Sequence, residues 1–249
     1  MKHEDEIILE KAKHKTVVAF ACLYFFFFAL IVIFLWIKNS EQRDGTPKQL
    51  RAVLNFNERF WGTFLSDNHL APTFSKSEAQ KKPRVNGDYG MGDDFDASKW
   101  KLKIVRDNND TLFISLDEIK ALPKTEVIFN FKCIEGWSQI TWWGGVRFSD
   151  FLKKFNLEKM SSLKYVGLET PDKNYYVGID MKSMMHPQTI LCYEMNAKPL
   201  PYNQGAPLRL IIPVKYGIKH LKRIGTMFFS GERPKDYWFE QGYDYFAGL

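Results

Sequence analysis

The rhythm of hydrophobic and polar positions changes along the chain. Residues 17–37 read VVAFACLYFFFFALIVIFLWI, an apolar run without a charge. At about 1.5 Å per residue such a helix spans roughly 30 Å, the thickness of a bilayer core. Trp36 sits at one end, where interfacial aromatics collect. The run exceeds a signal-peptide core and ends in Trp-Ile-Lys rather than a small-residue cleavage site. This predicts a single-pass anchor over 17–37, with residues 1–16 as an N-terminal tail. Lys11, Lys13 and Lys15 precede it, and Lys38 and Arg43 come after it. That bias favours a cytoplasmic N-terminus and a domain on the outer face of the inner membrane.

Residues 38–83 read as a linker arm. Gln49–Leu65 carries Leu50, Val53, Leu54, Phe60, Trp61 and Phe64 at helical spacing. Pro72 and Pro83 punctuate the rest of the arm. From residue 84 to 249 the pattern turns to short strands with interspersed helices. Strands are expected over Trp100–Arg106, Val127–Phe131, Tyr165–Leu168, Tyr175–Ile179, Ile190–Met195 and Leu208–Ile212, with a turn at Asn196-Ala197. Ser115-Leu-Asp-Glu118 is a capping box that opens a helix ending before Pro123. Ser149 is placed to cap a helix through Phe151, Leu152 and Phe155. Strands outnumber helices without a βαβ rhythm, so the expected class is α+β with mixed or antiparallel sheets.

Composition adds exclusions. In 249 residues the aromatic share is 16%, too high for a disordered chain. The net charge of +6 suits solubility, a membrane surface or an anionic ligand alike. No basic run interleaves with aromatics, so a nucleic-acid groove is not expected. The three cysteines, Cys22, Cys133 and Cys192, make no disulfide framework; only Cys133 and Cys192 remain as one possible pair. The five histidines show no zinc-like spacing.

Cys133 stands where the apolar strand FNFK ends and Glu135, Gly136 and Ser138 begin a loop. A thiolate there can ligate a soft or high-valent metal, and loops after strands carry many sites. A buried core thiol is the plainer alternative. Lys219, Lys222 and Arg223, taken by themselves, form a cluster of the kind that lines a solvated face.

The segment FKCIEGWS resembles the metal-ligand segment of the sulfite oxidase superfamily of molybdopterin-dependent enzymes. Its nearest likeness is the branch of the bacterial protein-methionine-sulfoxide reductase catalytic subunit. CYEMNAKPLPYNQGAPLRLIIPVKYGIKHLKRI, from Cys192 to Ile224, resembles the same superfamily almost continuously, and RVNGDYG, from Arg84 to Gly90, is a shorter match. The resemblance implies the sheet-rich molybdopterin domain of that superfamily over 84–249. It implies molybdenum held by a pyranopterin dithiolene, with Cys133 as the protein thiolate and Glu135 beside the metal as a proton carrier. By matching motif, Asn86, Tyr89, Gly90, Thr170, Gln204, Arg209, His220, Leu221 and Lys222 contact the cofactor, the last three around its phosphate.

Departures accompany the likeness. Gln204 replaces the asparagine of the reductase branch and the histidine of many sulfite oxidases. The WWGG segment lengthens the stretch after the cysteine, in the loop near the metal. Glu135, Gly136 and Trp137 stand where sulfite oxidases carry arginines, which disfavours an anionic substrate. Trp137, Trp142 and Trp143 are candidates for an aromatic rim, at least one of them for packing, and Cys192 reads as a core residue. The expected activity is a membrane-anchored, reductase-type two-electron or oxygen-atom-transfer reaction on a small-molecule or sulfoxide-type substrate. A sulfite-type oxidase and a noncatalytic tethered binding module are the alternatives. No haem, iron–sulfur or flavin motif is visible, so a membrane cytochrome or other electron-transfer partner is expected beside the bilayer. The dimerisation domain of sulfite oxidases is not seen, which suggests a monomeric catalytic domain. Residues 11–15 lack the arginine pair of a twin-arginine export signal.

Overall fold

The computed structural model describes residues 2–64, 69–92, 95–106 and 110–249. It divides into two compact units, Met1–Phe56 and Asn57–Leu249. In the first unit α1 (Lys2–Lys38) is one unbroken helix that includes the N-terminal tail. Its Leu9–Lys38 stretch is long and apolar enough to cross a membrane, and none of its most apolar window is buried. A core helix of a soluble protein sits the other way, with its apolar side covered. A short hairpin comes next, β1 (Gln42–Arg43) with β2 (Thr46–Pro47), and then α2 (Lys48–Gly62) begins. The helix expected over Gln49–Leu65 is thus present; Leu65 lies outside the described residues.

The second unit holds two five-stranded sheets. One contains β3 (Leu102–Val105), β4 (Thr111–Ile114), β7 (Tyr165–Glu169), β8 (Tyr176–Asp180) and β12 (Thr226–Ser230), in the order β4-β3-β12-β7-β8. β12 runs parallel to β3 and antiparallel to β7, so this sheet is mixed. The other contains β5 (Thr125–Lys132), β6 (Ser138–Arg147), β9 (Ile190–Met195), β10 (Lys198–Pro199) and β11 (Arg209–Ile211), all antiparallel. Short helices fill the connections: α3 (Leu116–Lys120), α4 (Phe148–Lys154), α5 (Met181–Met184) and α6 (Tyr237–Glu240). Leu102, Ile104, Ile114, Val166 and Leu168 from one sheet meet Val146, Leu191 and Leu210 from the other in one apolar core. A second core, around Phe129, Phe131, Trp143 and Ile211, underlies β5 and β6.

Most expected elements form, and the exceptions have physical causes. The WWGG stretch is not loop but the far half of β6, a ten-residue strand. Strand propensity disfavours paired glycines, yet β6 is hydrogen-bonded on both sides, by β5 and β9. A Cβ on Gly145 would lie 2.2 Å from the Leu191 carbonyl oxygen, so close passage of β9 requires glycine there. Ser149 does not cap α4, which starts at Phe148. The amide of Phe148 already donates to the Thr189 carbonyl at 3.1 Å, and the fully buried Phe148 ring fixes the helix start. Asn196 and Ala197 turn β9 into β10 with φ of 52° and 56°. At the opening of α3, Ser115 and Glu118 bond reciprocally as expected. Replacing Ser115 by alanine is expected to lower stability by about 1 kcal/mol, read as a shift in urea midpoint at unchanged slope.

Residues 71–84 run against the sheet of β5 and β6. Thr73 bridges to Phe129, the Phe74 amide donates to the Ile128 carbonyl at 3.1 Å, and the Gln80 amide to the Ile140 carbonyl at 3.0 Å. The Gln188 side chain exchanges two hydrogen bonds with the backbone of Ala71.

Candidate functional site

β5 delivers Cys133 to the start of a tight turn. The Cys133 amide donates to the Trp137 carbonyl at 2.9 Å, and the Gly136 amide returns to the Cys133 carbonyl at 3.1 Å. Gly136 holds φ of 89°, a conformation that suits glycine, and the chain re-enters the sheet as β6. Cys133 is buried, and all three cysteines are free, so no Cys133–Cys192 bond forms. Burial raises the Cys133 thiol above its ordinary value.

Cys133 faces a cavity of about 290 Å³. Asn86, Tyr89, Glu135, His220 and Lys222 line it as well, so chain segments far apart in sequence converge there. Glu135 accepts a hydrogen bond from the Trp137 indole at 2.9 Å and lies 3.8 Å from the Arg84 guanidinium. His220 donates from Nε2 to the Lys215 carbonyl, 3.2 Å away, and packs edge-on to Phe131. Its burial drives the imidazole down to about 3, so it is neutral. Lys222 donates to the carbonyls of Asn86 at 2.5 Å and Gly87 at 2.7 Å. Burial, and then the neighbouring Arg209, bring its ammonium down to about 7.

Arg209 lies fully buried beneath this wall. It donates to the Gln204 backbone carbonyl at 2.9 Å and to the Gln204 side-chain oxygen at 3.2 Å, and stacks over Trp143 at 4.6 Å. Among the described residues neither Arg209 nor Lys222 has a carboxylate within ion-pair distance, and Arg209 Nε has no hydrogen-bond partner. Asp88 acts on Lys222 only from beyond ion-pair distance, and buried charge of one sign so weakly compensated is costly and fits an anion arriving from outside the chain. Lys219, Lys222 and Arg223 are therefore not a solvated face. All three are buried, with Lys219 paired to Asp236 and Arg223 held by the carbonyls of Gly92 and Ala206. Their partners come from distant segments, which local charge spacing does not reveal.

The remaining expected residues stand behind the cavity rather than in its wall. Gly90 backs onto Thr170; a Cβ there would lie 2.4 Å from the Thr170 methyl, at φ of 71°. Thr170 donates to Asp172 at 2.6 Å and accepts from the Tyr175 amide at 3.2 Å, closing the turn that presents Tyr175. Gln204 ties Arg209 to the Pro83 carbonyl. Leu221 is wholly buried within the larger core.

No tryptophan of the expected rim lines the cavity. Trp143 is buried in the second core, Trp142 lies under Lys76 at 4.4 Å, and Trp137 stacks on Phe131. The aromatic wall comes instead from Tyr89, Tyr175, Trp238 and Tyr243. Tyr175 donates to the Ile218 carbonyl at 2.6 Å, and Trp238 meets Tyr243 edge-on at 5.2 Å. Sequence reasoning misses Tyr175, Trp238 and Tyr243, because single aromatics in an aromatic-rich chain carry no spacing signal.

Residues 89–238 match the oxidoreductase molybdopterin binding domain family. Among curated relatives, one from Azospira oryzae with the provisional name protein-methionine-sulfoxide reductase subunit YedZ1 is 35% identical over 82% of this chain and 78% of its own length. The protein-methionine-sulfoxide reductase catalytic subunit MsrP of Campylobacter jejuni is 30% identical over 70% of this chain and 63% of its own length. The Xanthomonas campestris MsrP is 32% identical, and this chain spans 48% of that protein. In fold, the sulfane dehydrogenase SoxCD of Paracoccus pantotrophus superposes with a TM-score of 0.50 over 56% of this chain and 40% of its own, at 16% identity. With more than half of its length matched, the chain belongs to the oxidoreductase molybdopterin binding domain family, within the sulfite oxidase superfamily.

Proposed function

We propose that this molybdopterin-dependent oxidoreductase is a membrane-anchored reductase in which Cys133 supplies the thiolate to molybdenum. The observation that carries the reading is one cavity holding a buried thiol beside a lysine that, among the described residues, has no carboxylate within ion-pair distance. A dithiolene-held metal and a pterin phosphate present a soft acceptor for the thiol and an anion for the cations. The residues present therefore fit the group: Cys133 toward the metal, and Lys222, with Arg209 behind it, toward the phosphate.

When bound, the cofactor supplies the two-electron oxygen-atom chemistry. The chain's own residues position and protonate. Lys222 and Asn86 hold the anionic end. Tyr89, Tyr175, Trp238 and Tyr243 narrow the opening and keep water from it. Glu135, fixed by Trp137 and Arg84, carries a proton between solvent and the cavity. With Lys222 taken by the anionic end of the cofactor, Glu135 faces the substrate space beside the thiol, which favours a neutral sulfoxide over an anion. Relatives named as methionine-sulfoxide reductase subunits support that substrate class. On this reading residues 17–37 form the anchor in the inner membrane, 38–83 the arm, and 84–249 the redox domain on the outer face. Electrons then arrive from a membrane-borne carrier.

The test is metal and pterin content of the full chain, purified in detergent from a host that makes the cofactor. Near-stoichiometric molybdenum and pterin are expected. Cys133→Ser should keep the pterin and fold but change the molybdenum absorption and lower turnover by at least about a hundredfold, a loss of roughly 2.7 kcal/mol in barrier terms. An unchanged metal spectrum in Cys133→Ser would remove the thiolate assignment. Faster turnover of sulfite with an electron acceptor than of methionine sulfoxide with a reductant would reverse the direction.

A further inference from the structure

α2 is amphipathic in the inverse sense to a helix on a soluble protein. Leu50, Val53, Phe60 and Trp61 recur at helical spacing, and Phe64 continues the stripe one turn on. All are exposed; Trp61 shows 62% and Phe64 69% of its surface. Phe60, Trp61 and Phe64 form one aromatic cluster, with ring centroids 5.1 to 6.1 Å apart. The flank that carries Arg51 and Glu58 is the covered one. Arg51 is 1% exposed and donates to the Asp44 carbonyl. Glu58 is turned inward to an ion pair with Arg233 at 2.5 Å. A surface helix normally buries its apolar face and shows its charges, so this stripe marks a surface made to meet something else.

Chain continuity says what that is. Only residues 39–47 separate the end of α1 from the start of α2, at most about 30 Å of extended chain. The β1–β2 hairpin folds within them and shortens the reach. If α1 crosses a bilayer, α2 starts beside the lipid headgroups. Trp and Phe are the residues of that boundary, and the exposed Lys48 and Arg59 suit anionic headgroups. We propose that α2 lies in the plane of the membrane surface, its Leu50–Phe64 stripe sunk into the headgroup and acyl boundary. The proposal rests on the anchor reading of α1.

The test uses the full chain with Cys22→Ser, reconstituted in vesicles of a zwitterionic lipid with a minority of an anionic one. Spin labels are placed singly through Val53→Cys and Trp61→Cys on the stripe, and Ala52→Cys and Arg59→Cys on the other side. Collision rates with oxygen, which partitions into lipid, and with a water-soluble nickel chelate give each label's depth. The oxygen-to-nickel ratio at 53 and 61 should be severalfold above that at 52 and 59. Equal, water-like ratios at all four positions overturn the proposal. So do stripe labels shielded from both reagents, which would mean a protein partner or a second copy covers them. Extraction by alkaline carbonate separates the two readings. A chain washed from the vesicles fails as an anchored protein altogether, whereas a retained chain with a water-exposed stripe fails for α2 alone.

Discussion

Lys222→Met, prepared without cofactor, is expected to be more stable than the parent at about pH 6, by roughly 1–4 kcal/mol, and to retain no pterin when made with full cofactor supply. Burial takes the Lys222 ammonium from an ordinary 10.5 to about 7. Below pH 7 the lysine is charged in both the folded and the unfolded chain, and the whole desolvation cost falls on the fold. Between pH 7 and 10.5 the folded side chain is neutral while the unfolded one still holds its proton, so parent stability rises with pH through that window. The advantage of methionine is therefore largest on the acid side and fades toward pH 10.5. Calorimetric melting against pH, beside fluorimetric pterin content, reads both halves. An anion against Lys222 raises its affinity for the proton, so cofactor loading above pH 7 should take up a proton and weaken as pH rises. A Lys222→Met chain less stable than the parent at acid pH would show that the hydrogen bonds of Lys222 to the Asn86 and Gly87 carbonyls outweigh its desolvation cost, against a site held open for an anion.

Asp236→Asn is expected to cost about 3–5 kcal/mol, because it leaves the Lys219 ammonium buried without its partner. Asp236 holds the C-terminal segment in three ways. It pairs with Lys219, accepts from the Gly178 amide at 3.1 Å, and caps α6 through the Phe239 amide at 3.0 Å. Trp238 and Tyr243, which close the cavity, come directly after it. Adding Lys219→Met to Asp236→Asn removes the orphaned charge and should recover part of the loss. A coupling above about 1 kcal/mol in the double-mutant cycle, by urea unfolding, is the expected outcome. In the loaded enzyme Asp236→Asn should raise KM more than it lowers kcat, since the wall it loosens touches substrate and not the metal. Equal losses in both would place the segment's role in the chemical step.

The two sheets are readable from the chain because their strands are short apolar runs between turn residues, and Cys133 is readable because such a run stops beside it. The capping box of α3 is legible for a related reason: its partners are three residues apart. β6 is hidden, since its glycines argue against a strand and only pairing with β5 and β9 decides the matter. The burial of Lys219 and Lys222 is hidden likewise. Their partners, Asp236 and the carbonyls of Asn86 and Gly87, lie 17, 136 and 135 positions away, and nothing local signals them. The resemblance supplies Asn86, Tyr89, Glu135, His220 and Lys222 as lining residues. It does not supply Tyr175, Trp238 or Tyr243. The side-chain roles of Thr170, Gln204 and Leu221 emerge only from the fold, where they brace the wall from behind.

The order of the lining residues along the chain gives the cavity a history during synthesis. Asn86, Cys133, Tyr175, His220 and Lys222 have all left the ribosome before Trp238 and Tyr243 do. The thiol, the imidazole and the lysine thus precede the aromatic flank that covers them, and the contacts of Asp236 with Lys219, the Gly178 amide and the Phe239 amide are made only once that flank has been synthesised.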